Sequence, residues 1–219
     1  MDRLSSASFG TRVTTPRVIF NANCQRDDRL ETMPSVTIPF VFPADCPKEV
    51  AKFTELTNSQ DIYNFLKTLQ NHPITEFSMY KAVDNYWLQL GLSAYLDTEV
   101  EVLLALLDKG ANVPDILGYK PINAENPECI LVLTVPKDLE PINPGQKFND
   151  VARKNYLKLL QDFSDCGITY PGFNENTLMW SPSENTFYPA CPWLFRVDEG
   201  PKIDYQSHEY STGFLRKFF

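Results

Sequence analysis

Three features of this sequence predict a mixed α+β fold. The turn pair Asp84-Asn85 interrupts a loosely alternating apolar run from Phe77 to Leu92, the pattern of a β-hairpin. Apolar residues recur at helical spacing after Ser59, after Asp97 and after Asn149. Strands and helices then follow one another in mixed order, with hairpins prominent in the first half, which favours α+β over a doubly wound parallel sheet.

Residues 1–47 are rich in Ser, Thr, Asn, Asp and Pro and hold two strand-like runs, Arg17–Phe20 and Val36–Phe42. Pro39 and Pro43 confine the second run to a sheet edge or an extended arm, because proline cannot donate to a ladder. The next helix carries Ile62, Phe65, Leu66 and Leu69 on one face, with Ser59 as N-cap and Pro73 as stop. The hairpin over 77–92 follows. A helix over about 97–109 places Val100, Leu103, Leu104 and Leu107 together, and Gly110 closes it. Val113–Tyr119 and Cys129–Pro136 read as strands. A long helix over 149–164 turns Val151, Tyr156, Leu159, Leu160 and Phe163 inward. Strand segments at Thr177–Trp180 and Asn185–Trp193 come next. The chain finishes on Phe214, Leu215, Phe218 and Phe219, whose spacing makes one stripe on a short helix. Such a stripe is expected to dock, on the chain's own lower part or on a second copy as a homodimer.

Composition narrows the function classes. A chain of 219 residues with 43% hydrophobic content can bury a sizeable core. Acidic residues outnumber basic ones 28 to 20, a net charge of −8, which disfavours nucleic-acid binding through clustered Lys and Arg. No apolar run reaches the length of about 18 residues that marks a membrane span, and Met1–Ser8 has no apolar signal core. The five cysteines, Cys24, Cys46, Cys129, Cys166 and Cys191, form no CxxC or Cys/His cluster, so neither a zinc site nor a disulfide framework is expected. The expectation is a reduced, cytoplasmic protein without metal or cofactor. Histidine-dependent catalysis has only His72 and His208 to draw on.

From Tyr80 to Trp193 the order of elements resembles a protein kinase, including the small or fungal-type kinases and aminoglycoside-phosphotransferase-like domains. The helix after Asp97 stands where kinases carry the regulatory helix. Two strands, a hinge, the long lower-lobe helix, the catalytic loop and the metal-binding strand end follow in the same order. Laid over the family's V-A-I-K strand, Tyr86-Trp87-Leu88-Gln89 puts Gln89 in the lysine place. Glu99 falls at the regulatory-helix glutamate, although Glu99 and Glu101 could equally be solvated charges near a helix N-terminus. Leu133 takes the gatekeeper place, and Thr134, Val135 and Pro136 the hinge, which a plain buried strand running into a proline loop also explains. In the catalytic loop Tyr170 replaces the histidine, Gly172 the aspartate, and Asn176 stands for the metal-ligand asparagine, with one residue fewer between the last two than the family has. Cys191 occupies the metal-binding aspartate position, and a thiol is a poor ligand for magnesium.

The resemblance implies a two-lobed fold with a truncated C-terminal lobe: an N-terminal extension (1–47), an N-lobe-like region (48–136) and a reduced C-lobe-like region (137–219). It also implies a pseudokinase-like protein that binds a small molecule or a protein partner in the former nucleotide cleft. Glycine cannot orient a substrate hydroxyl or accept its proton as the catalytic aspartate does. Two alternatives stand beside this reading: a non-kinase enzyme of specialised metabolism (cyclase, isomerase or transferase) using the same cleft, and an unrelated α+β interaction domain.

Overall fold

The hairpin forms where the sequence places it. In the computed structural model β1 (Met79–Val83) and β2 (Tyr86–Leu92) pair antiparallel, with Val83 opposite Tyr86 and only Asp84 and Asn85 between. Asp84 takes a left-handed φ of 50°, which Asp tolerates better than most side chains. The structure describes residues 36–69, 79–124, 127–170, 173–190, 195–197, 204 and 209–219. The Arg17–Phe20 run, Pro73, both histidines, Gly172 and Cys191 lie outside the described residues.

Two helices precede the hairpin. α1 (Lys48–Glu55) was not legible in the sequence; Pro47 leads into it with φ of −57°. α2 (Ser59–Thr68) begins one residue after its cap, since Asn58 rather than Ser59 receives the N–H groups of Gln60 and Asp61. Ser59 instead hydrogen-bonds Glu128 and ties this helix end to the sheet.

After β2 the chain enters α3 (Ser93–Asp108) directly, one turn earlier than the spacing predicts. The Ser93 N–H donates to the Pro127 carbonyl at 2.7 Å, so the helix start is held by a loop the local pattern cannot reveal. Gly110, with φ of 69°, ends the helix: its N–H bonds Leu107 and that of Ala111 bonds Leu106. β3 (Asp115–Pro121) and β4 (Glu128–Thr134) complete an antiparallel sheet in the order β1-β2-β4-β3.

Side chains of β4 alternate strictly between two apolar clusters. Cys129, Leu131 and Leu133 face α3, whereas Ile130 and Val132 face α1 and α2. The arm over 36–42 lies on the outer edge of β3 through paired hydrogen bonds between Ile38 and Tyr119, at 2.7 and 2.8 Å. Gly118 is required there, because a Cβ at that position would sit 2.3 Å from the Phe40 ring.

The second half adds β5 (Glu140–Pro141), α4 (Asp150–Asp165), β6 (Ile168–Thr169), β7 (Leu178–Ser181), β8 (Thr186–Pro189), β9 (Arg196–Val197) and α5 (Glu209–Phe218). Asn149 caps α4 by accepting from Ala152 N–H at 2.9 Å. The inward stripe of α4 is Ala152, Tyr156, Leu159, Leu160 and Phe163, and Val151 is 55% exposed, contrary to expectation. Position 152, not 151, keeps the i, i+4, i+7, i+8 spacing to the others. β5-β7-β8 form a second antiparallel sheet and β6 pairs with β9. Among the described residues no helix is long and apolar enough to cross a membrane.

One apolar cluster runs unbroken from the α3 face of the first sheet through α4, β7 and β8 to α5. Polar ties cross the same boundary. Asp138 accepts from Ser181 Oγ at 2.9 Å and from Ser183 N–H at 2.6 Å, and Asn112 donates to Thr186 Oγ1 at 2.7 Å. The C-terminal stripe docks on its own chain. The Phe214 ring stacks on Tyr156 at 4.7 Å and meets the Phe187 edge at 5.5 Å, and Phe218 is wholly buried. The Phe148 N–H donates to the Phe218 carbonyl at 3.1 Å, and Lys217 pairs with Glu175. Of the two docking sites foreseen for this stripe, the intramolecular one is occupied.

Phe214→Ala should cost about 3–5 kcal/mol, as for a buried aromatic that leaves a cavity, measured by urea unfolding. Removal of residues 213–219 should lower the melting temperature and leave the oligomeric state in solution unchanged. The Lys217 ammonium holds the Glu175 carboxyl below its ordinary value of 4.5. A depressed acid stabilises above its unfolded value and loses that contribution as the pH falls through the folded one. The Glu175→Gln variant should therefore show a shallower fall in melting temperature than the parent below about pH 4.5.

Candidate functional site

The site residues that the structure brings together are Gln89 and Glu99. Gln89 projects from β2 toward α3, in the strand row that also holds Leu131 and Tyr119. Its Nε2 donates to Glu99 Oε1 at 2.8 Å, and the two residues are 4% and 2% exposed. Glu99 is thus no solvated charge near the helix end. It is enclosed, with a neutral amide where the kinase resemblance implies an ammonium. The amide donates to the buried carboxyl group. It brings no positive charge that a phosphate could use.

A second polar contact lies on the other side of Leu131. Tyr119 donates its hydroxyl to Asp97 Oδ1 at 2.6 Å. Burial first, and then the bond to Asp97, push the tyrosine far above its ordinary range. The Cys129 thiol sits against the same hydroxyl and is also pushed up, mainly by burial, so it is a packed thiol and not a nucleophile. Cys46 is raised by burial in the same way. Neither Asp97 nor Tyr119 stood out in the sequence, because a tyrosine within an apolar strand reads as core.

The hinge positions are used within the chain. Leu133 is fully buried in the core facing α3. Thr134 closes the ladder on both sides, opposite Tyr86 and Asp115. The Val135 N–H donates to the Asn85 carbonyl at 3.0 Å, and its carbonyl accepts from Asn85 Nδ2 at 3.2 Å. The hairpin turn therefore engages the backbone groups that an adenine would need at Val135.

Of the remaining positions, Tyr170 and Asn176 lie among the described residues. Tyr170 is buried among Phe163, Phe173 and Phe195 and donates its hydroxyl to the Thr177 carbonyl at 2.5 Å. That bond laces a loop to its own core. Asn176 is exposed on the turn before β7, and its N–H is capped by Asn174 Oδ1 at 2.9 Å. Among the described residues no group of three or more His, Cys, Asp or Glu could hold a metal ion.

Neither a family model nor a curated protein matches the chain. Among solved structures it is similar to one described as WaaP in complex with acyl carrier protein, at 12% identity and a TM-score of 0.44, over 76% of this chain and 86% of that one.

Replacing Gln89 by leucine takes a donor from a buried carboxyl group and should cost about 1–3 kcal/mol, read by chemical denaturation. Glu99→Gln retains an acceptor oxygen and should cost less. Asn176→Ala, at an exposed turn, should change stability by no more than about 0.5 kcal/mol.

Proposed function

We propose that this chain is a pseudokinase-like binding protein: it keeps a kinase-like order of elements, lacks phosphoryl transfer, and holds a small molecule or a protein partner in the former nucleotide cleft. The observation that carries the reading is the buried Gln89–Glu99 hydrogen bond. In the kinase pattern a lysine at that place pairs with the helix glutamate and contacts the nucleotide phosphates. Glutamine keeps the contact to the helix and gives up the charge.

The sequence supports the same conclusion at two further positions, where Gly172 and Cys191 stand for the proton-accepting and metal-binding aspartates. Phosphoryl transfer depends on positioning and charge neutralisation by lysine and magnesium, and these substitutions remove both together. The acidic chain, at −8 net, would also repel a nucleotide polyphosphate unless cations were held locally.

Thermal melting with ATP, with and without magnesium, alongside transfer of labelled γ-phosphate, tests this reading. The expected result is no magnesium-dependent stabilisation and no transfer. Magnesium-dependent stabilisation together with transfer would overturn it. Native mass spectrometry after incubation with a metabolite extract should show a bound mass that is released unchanged; conversion of that compound would instead favour a non-kinase enzyme.

A further inference from the structure

Two hydrogen bonds tie α3 to the sheet on opposite flanks of the helix. Leu96, Val100 and Leu103 form the apolar line that packs downward. Asp97 and Glu99 are two residues apart, roughly 200° around a helix with 3.6 residues per turn, so their side chains leave on either side of that line. Their partners match this divergence. Tyr119 and Gln89 are both opposite Leu131 in the ladder, one on each neighbouring strand, and so about 10 Å apart at ordinary strand spacing. Tyr119 reaches Asp97 at 2.6 Å and Gln89 reaches Glu99 at 2.8 Å.

Apolar packing is non-directional and tolerates a small roll of the helix; hydrogen bonds weaken steeply with angle and distance. A roll that pushes Asp97 toward β3 lifts Glu99 from β2, and the reverse roll breaks the Tyr119 bond. We propose that Tyr119 and Asp97 are positioning residues: their hydrogen bond fixes the roll of α3 and thereby holds Glu99 on Gln89. The regulatory consequence, a helix kept seated and not one that swings, rests on the pseudokinase-like reading of the Gln89–Glu99 site.

The test reads Gln89 directly. In the full chain, the side-chain amide of Gln89 is followed by nitrogen–proton NMR in Tyr119→Phe, Asp97→Ala, the double variant and Asp97→Asn. Tyr119→Phe keeps the ring and its packing and removes only the hydroxyl. The expected result is a displaced Gln89 amide resonance and side-chain amide exchange faster by about threefold to tenfold, the range one buried hydrogen bond supports. Asp97→Ala should do the same, the double variant should do no more than either alone, and Asp97→Asn, which still offers an acceptor, should restore the parent spectrum. If Tyr119→Phe does not fold, Asp97→Ala against Asp97→Asn decides. A Gln89 amide unmoved in the variants that fold, with only melting temperature lowered, would overturn the proposal. Because the readout needs no ligand or nucleotide, its failure is separate from a failure of the binding reading.

Discussion

The whole arrangement depends on β4 being buried on both faces. Five consecutive residues, Cys129 to Leu133, are enclosed, and their alternation feeds two apolar clusters at once. This strand, with β2 beside it, presents apolar groups to the helices on both sides of the sheet. Burying a Leu or Ile side chain is worth about 1.5–3 kcal/mol by transfer arithmetic, and Ile130, Leu131 and Leu133 of this strand are fully buried. Partners on either side, β2 and β3, bring Gln89 and Tyr119 to the face that α3 covers.

That dependence explains what could be read in advance. The hairpin, α3, β4 and α4 carry strong local signals: a two-residue turn, helical spacing and a continuous apolar run. α1 was missed because proline before a charged pair reads as loop, and its burial against β2 and β4 is decided by residues far along the chain. The start of α3 was misplaced for the same reason, since Pro127 holds it from a distance. Val151 was misassigned within a correctly placed helix, an error of phase and not of type.

At the site, the kinase resemblance implied roles for Gln89 and Glu99, and the structure joins them by a hydrogen bond. It did not single out Asp97 or Tyr119, because no periodicity marks a hydroxyl that reaches across to a helix. The hinge reading supplied the strand but not its neighbour: nothing local indicates that Asn85 engages both backbone groups of Val135. Residues that the resemblance mapped onto a strand and a helix were thus legible, while those defined by a hydrogen bond across some tens of residues were not.

The arm along β3 also bears on how the molecule behaves in a crowded solution. An uncovered outer strand offers its free N–H and C=O groups to any extended chain that passes. Here Ile38 occupies the ladder position opposite Tyr119, and Phe40 fills the space above Gly118. Pro39 and Pro43 then deny the arm a continuous row of donors. The chain has spent its own backbone on the vulnerable rim and offers a newcomer a strand that cannot be extended. Resistance of this rim to a passing chain therefore rests on a short, proline-broken segment whose Ile38 and Phe40 pack against the apolar clusters.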